Sequence, residues 1–295
     1  MSYNTSNVNI LDFTGFKKSL QSIVGSPIYD LKVLAEGDSW FHIGGNTPFF
    51  KERNLLDGVN FNNKHTLLVN MALSGNTMAR MSDRVNSPDF YEAMNEYDWN
   101  FILLSAGGND LIYALTEDGQ YKYKNKTLSI IQKNDNPTSF MDFINQESLD
   151  SFKESILTSF NKFISAKRES TRNSNIPIVI HMYDFPTPRN APAELFYLRE
   201  GPWIQKALFN NGVPNHSNYW NNISDYIFTA LAKTIQSLHG RSNFYVVNTL
   251  HTLTRAVEGA KGDSNDWLNE IHPNSGGFQK LAAKINNTIL DLPGV

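Results

Sequence analysis

The sequence predicts an α/β protein, a three-layer α/β/α sandwich built on one five-stranded parallel sheet, in a single domain over residues 1–295. Three observations predict it. Five short apolar runs carry the β-branched and aromatic content of strands buried on both faces. Between them run longer stretches whose apolar residues recur at helical spacing. No internal repeat or separating linker breaks this alternation, so each face of the sheet is covered by helices.

The expected strands are residues 31–36, 66–71, 101–105, 176–182 and 244–247. Phe16, Leu20 and Ile23 mark a first short helix. Leu149, Phe152, Ile156, Phe160, Phe163 and Ile164 form one apolar stripe; Trp220, Ile223, Ile227, Leu231 and Leu238 form another, stopped by Gly240. Phe278, Leu281, Ala282, Ile285 and Ile289 form the last, with Pro293 beyond it. Core packing accounts for all three stripes. Residues 1–13, rich in Asn and Ser, are expected to form a loose arm. Two segments stand outside the alternation as insertions or lid loops. Residues 113–145 read as a hairpin whose lysines form a solvated face, and residues 184–217, with five prolines, as a wall or lid over a site.

Composition excludes several classes of function. Twenty-six basic residues against 29 acidic ones leave a net charge of −3, so no strong field draws nucleic acid or an anionic membrane. The absence of cysteine rules out disulfides, thiolate metal sites and a cysteine nucleophile. No apolar run approaches the roughly 20 residues of a membrane span. The start of the sequence has no basic region leading into an apolar core, so a cytoplasmic location is the default expectation.

The strand ends carry the chemistry. The first strand closes on Gly37-Asp38-Ser39, the second leads to Ser74-Gly75-Asn76, and the third to Gly107-Gly108-Asn109-Asp110. His272-Pro273 follows the last strand, ahead of the final helix. In a parallel sheet the carboxyl ends lie on one edge, where ligands bind. A serine hydroxyl needs a base within hydrogen-bond reach, and His272 supplies one to Ser39. A tetrahedral intermediate needs donors already in place. The backbone N–H groups of Ser39 and Gly75 and the side-chain amide of Asn109 are the candidates, with Gly107 and Gly108 permitting the turn that aims Asn109.

These four blocks resemble the signature blocks of the SGNH (GDSL-type) hydrolases, over residues 31 to 290. The resemblance implies a flavodoxin-like sheet and hydrolysis of carboxylic esters or thioesters, with no metal and no cofactor. The Gly-x-Ser-x-Gly elbow of other lipases is absent. Two departures matter. Trp40 stands where the family usually has leucine, and Asn269 stands where it has an aspartate three residues before the histidine. An amide holds an imidazole but cannot balance its charge; in serine proteases an equivalent change costs about 10⁴ in turnover. Another group orienting His272, a bare Ser–His dyad and impaired turnover are the open alternatives. Asp266 is the favoured replacement, ahead of Glu270, Asp263 or a backbone carbonyl.

The expected substrate is a small-molecule, glycan or lipid acyl ester. Trp40, His42 and Trp203 are candidate substrate contacts, with Phe41, Phe49 and Phe50 as further aromatic wall. The remaining histidines show no ligand spacing, so no metal site is assigned. Two rival functions stay open: binding of an acyl ligand without turnover, favoured by Asn269, and acyl transfer to an acceptor other than water.

Overall fold

The computed structural model describes residues 2–5, 7–23, 29–42, 54–195, 198–215 and 218–292. Its sheet has the strand order β1-β2-β4-β3-β5-β8-β11. These are β1 (Ser2–Thr5), β2 (Val8–Asp12), β3 (Leu31–Gly37), β4 (Thr66–Asn70), β5 (Phe101–Ser105), β8 (Ile178–His181) and β11 (Phe244–Val247). Only β1 runs antiparallel to its neighbour; every other pairing is parallel. The five expected strands are the contiguous block β4-β3-β5-β8-β11, in chain order 2-1-3-4-5, the flavodoxin-like order. All five residues of β5 are buried, as a central strand covered on both faces requires.

The described residues of the expected loose arm, 2–5 and 7–13, instead supply two strands of the sheet, β1 and β2. Val8 and Ile10 are buried, and β2 pairs in register with β4 from Val8↔Thr66 to Asp12↔Asn70. The alternation that makes this strand is only a few residues long and sits among Asn and Ser, so composition masks it. The strand closes an edge that would otherwise expose unpaired backbone groups of β4.

The helices that matter for the site are α2 (Ser39–His42), α3 (Met78–Met81), α5 (Gly108–Tyr113), α6 (Gln146–Glu169), α7 (Ile204–Asn210), α8 (Tyr219–Gln236) and α9 (Ser275–Leu290). α1 (Phe13–Ile23) and α4 (Pro88–Glu96) complete the set among the described residues. The stripes read from the sequence fall on the buried faces of α6, α8 and α9, although Trp220 is only half-buried and Leu238 lies just past the end of α8. Asn145 caps α6 by accepting Ser148 N–H at 3.0 Å, and Asn274 caps α9 by accepting Gly277 N–H at 2.9 Å. α6 meets α4 through stacked Phe90 and Phe163 rings and packs on α8, while α9 packs on the turns at residues 55–58 and 61–63.

Residues 113–145 contain a hairpin of β6 (Lys122–Tyr123) and β7 (Lys126–Thr127), turning through Lys124 and Asn125 with φ of 47° and 63°. Lys124 and Lys126 lie outward against Glu154 and Glu147 of α6. Among the described residues of 184–217, β9 (Ala193–Leu195) pairs antiparallel with β10 (Leu198–Glu200), and α7 follows. No helix among the described residues is long and apolar enough to cross a membrane.

Candidate active site

β3 ends at Gly37, and the chain turns immediately into α2. A Cβ on Gly37 would sit 3.0 Å from both the Phe41 ring and Ser105 Cβ, so the tight turn needs glycine. Asp38 is buried and holds the turn. Its Oδ1 accepts Trp40 N–H at 3.0 Å and the Ser105 hydroxyl at 2.9 Å, and its Oδ2 accepts the Tyr183 hydroxyl. Ser39 is thereby fixed at the carboxyl edge of the sheet with its Oγ 2.8 Å from His272 Nε2.

His272 sits in a loop that holds itself. Leu268 N–H bonds back to His272 O at 2.9 Å, and Trp267 bridges to Pro273. Asn269 is buried inside the loop. Its Oδ1 accepts the N–H groups of Ile271 (3.1 Å) and His272 (2.9 Å) and lies 3.0 Å from His272 Nδ1. Two backbone donors on that oxygen settle which way the amide faces, so Nδ1 carries the proton and Nε2 is the free acceptor toward Ser39. Burial pushes the His272 imidazole down to about 4, so the ring is neutral near pH 7.

Asp266 does not orient His272. Its carboxylate accepts the Lys280 ammonium of α9 at 2.8 and 2.7 Å and Thr254 N–H at 2.6 Å. Burial raises its pKa, but these partners outweigh that and hold it below the usual carboxylate value. The group meeting Nδ1 is the amide already at position 269. Glu270 faces the other way, accepting the backbone N–H groups of Arg189, Trp203, Ile204 and Gln205. Burial lifts its pKa to about 7. Asp263 lines the cleft and accepts Asn274 Nδ2 at 2.9 Å.

Ser39, Gly75, Asn109, Asn269 and His272 line one cavity of about 670 Å³. Gly75 has φ of 77°, which favours glycine, and lies in the loop after β4. Asn109 opens α5 behind Gly107 and donates Nδ2–H to Asn76 O at 2.9 Å. A Cβ on Gly108 would sit 2.8 Å from the Tyr183 ring, so the close approach of α5 depends on its absence. Trp203 lines the cavity with its ring edge-on to His272 at 5.9 Å. Trp40 lies beneath the site, stacked on His181 at 5.2 Å, with Nε1–H bonded to Ile271 O. His42 faces Ser74 Oγ at 3.0 Å and does not line this cavity among the described residues. Phe49 and Phe50 lie outside the described residues, as do Phe196 and Tyr197 of the wall.

Sequence reasoning missed the buried cluster below Ser39. Ser105 Oγ lies 2.9 Å from Asp38 Oδ1 and 2.9 Å from His181 Nε2, and His181 Nδ1 bonds to Met182 O. Burial raises Asp38 to about 6 and lowers His181 to about 4. The imidazole is therefore neutral near pH 7, while Asp38 is mostly a carboxylate there, with the Ser105 and Tyr183 hydroxyls donating to it. The members come from the ends of β3, β5 and β8, so only the register brings them together. Arg189, also missed, bonds the carbonyls of Ala260, Gly262, Trp267 and Asn269 and pins the loop below His272.

Among the described residues, no group of three or more His, Asp or Glu is arranged to hold a metal ion. No protein-family model and no curated protein matches the chain. Solved structures do. The chain is similar to the lipase Lip_vut3 from a goat rumen metagenome, at 15% identity over 87% of this chain and 96% of that one, with a TM-score of 0.53. It is also similar to an extracellular lipase of Streptomyces rimosus (14% identity, 87% and 99% covered, TM-score 0.49) and a GDSL-like lipase of Parabacteroides merdae (13% identity, 87% and 94% covered, TM-score 0.47). The chain has the three-layer α/β fold of the SGNH (GDSL-type) hydrolases.

Proposed function

We propose that this protein hydrolyses carboxylic esters with Ser39 as nucleophile and His272 as base. The observation that carries the reading is the 2.8 Å contact between Ser39 Oγ and His272 Nε2 at the carboxyl edge of the sheet. Ser39 Oγ attacks the ester carbonyl carbon and its proton passes to Nε2. The oxyanion receives hydrogen bonds from the N–H groups of Ser39 and Gly75 and from the second N–H of the Asn109 amide. Collapse breaks the bond to the alkoxy oxygen, which takes the proton from Nε2 and leaves as alcohol. Water then attacks the acyl-serine, gives a proton to Nε2, and Ser39 recovers it as the acid departs. Asn269 acts as a positioning residue that holds the ring in the tautomer this cycle requires.

The test is turnover of a short-chain p-nitrophenyl ester beside covalent capture by a fluorophosphonate. The wild type is expected to do both and Ser39→Ala neither; equal turnover by the two removes the nucleophile. The amide at position 269 favours a second reading, in which the protein binds an acyl ligand without turning it over. Ligand binding without fluorophosphonate capture supports that second reading.

A further inference from the structure

Two cavities share Ser39 and Asn109 among their walls, and they differ in size and in whether His272 lines them. The large one, about 670 Å³, is lined by both Ser39 and His272. The small one, about 20 Å³, is lined by Ser39 and Asn109, by apolar Trp40, Ile112, Phe228 and Trp267 and by polar Asp38, Tyr183 and Asp184, and His272 is not among its described walls. Room of that size holds about one water-sized or methyl-sized group.

The chemistry assigns the two halves of the ester. His272 must return its proton to the alkoxy oxygen, so the alcohol half lies on the side His272 lines. The acyl substituent projects from the other side of the same carbonyl. Resting on the hydrolase reading above, we propose that the small cavity seats the acyl group and limits it to acetyl, while the large cavity takes a bulky, hydroxyl-bearing alcohol. The walls of the large cavity suit such an alcohol. Tyr113 and Trp203 offer ring surface, and Asn190, Glu200, Lys261 and Asp263 offer donors and acceptors around them. Ile112 and Phe228 close the small cavity from α5 and α8 and are themselves buried, so the boundary is set by packed helices.

The experiment is a p-nitrophenyl series of acetate, butyrate and octanoate, with a monoacetylated methyl glucoside and ethyl acetate as a second pair. For the wild type, kcat/KM is expected to fall at least 10-fold from acetate to butyrate and further to octanoate, and to be at least 10-fold higher on the monoacetylated methyl glucoside than on ethyl acetate. Ile112→Ala and Phe228→Ala are expected to raise the butyrate-to-acetate ratio at least 5-fold, and Trp203→Ala to leave that ratio unchanged. The wild-type series decides even if Phe228→Ala fails to fold. Ser39-dependent hydrolysis of octanoate at the rate of acetate overturns the acyl assignment and leaves the hydrolase reading standing. Ethyl acetate turned over as well as the sugar ester overturns the alcohol assignment. Hydrolysis of no ester, with no fluorophosphonate capture, overturns both readings.

Discussion

Replacing Asn269 with aspartate keeps the shape of the group facing His272 and adds a charge. The serine-protease comparison sets the loss for acid-to-amide at about 10⁴, but that loss includes a wrong tautomer. Here the tautomer is right, because Asn269 Oδ1 accepts the backbone N–H groups of Ile271 and His272 and presents an acceptor to Nδ1 at 3.0 Å. What the amide lacks is the attraction for the imidazolium that forms during attack. At about 4 Å and an effective dielectric of about 20 that attraction is about 4 kcal/mol. Burying the carboxylate offsets part of it, although two N–H donors already point at its oxygen. A net gain of roughly 1.5–3 kcal/mol in the transition state corresponds to about 10- to 100-fold in kcat.

The same change moves the pH profile. Burial holds the His272 pKa down to about 4, so wild-type activity is expected to fall only as pH drops through that value. A carboxylate beside Nδ1 favours the charged ring and shifts the acid limb upward by about 1–3 units. The assay is kcat and kcat/KM on p-nitrophenyl acetate from pH 3.5 to 8 at constant ionic strength, read after alkaline quenching (about ten points suffice). Asn269→Leu, which removes the acceptor, is expected to lose about 10²-fold or more. An Asn269→Asp variant with unchanged kcat and an unmoved acid limb refutes the assignment of Asn269 as the group that positions the ring.

Asp266→Asn is expected to keep turnover within about 3-fold of wild type and to lose about 1 kcal/mol in urea denaturation, since its carboxylate serves Lys280 and Thr254 N–H. A 10²-fold loss of kcat without unfolding would instead return it to the catalytic set. Glu270→Ala strips the acceptor from four backbone N–H groups and is expected to cost about 3 kcal/mol or more of stability; an unchanged denaturation midpoint counts against that accounting. Glu36 is buried, and desolvation raises its pKa from 4.5 to about 8 against the opposing hydrogen bonds of Gly37 N–H and Asn76. A folded-state pKa above the unfolded one means its contribution is intact below pH 4.5 and lost as pH rises toward 8. Glu36→Gln is therefore expected to gain stability over wild type across that interval, by at most about 5 kcal/mol, read as ΔG from urea melts. A difference that does not change with pH contradicts this.

The sheet was legible where burial on both faces writes a strand as an uninterrupted apolar run. Residues 101–105 and 244–247 agree with β5 and β11 to the residue. β2, which lies between β1 and β4, escaped because it is only five residues long and Val8, Ile10 and Leu11 stand among polar neighbours. Ser39, Gly75, Asn109 and His272, singled out in the sequence, line one cavity because parallel topology sends every strand end to one edge. The orienting group was misassigned because residues 263–273 hold several carboxylates, and sequence spacing does not say which one a lysine claims. Lys280 claimed Asp266 across the first turns of α9. The Asp38–Ser105–His181–Tyr183 cluster left no sequence signal, since each member is an ordinary polar residue until register places it beside the others.

Glu270 and Arg189 make the wall and the histidine loop a single piece. One carboxylate from the loop ties down the start of α7, and one guanidinium from the wall ties down the carbonyls of the loop. On the proposed reading, the wall around the large cavity is thus not a module that can be exchanged while the Ser39–His272 pair is left alone. A redesign of that wall must carry both latches along, or the His272 ring loses its placement beside the Ser39 hydroxyl.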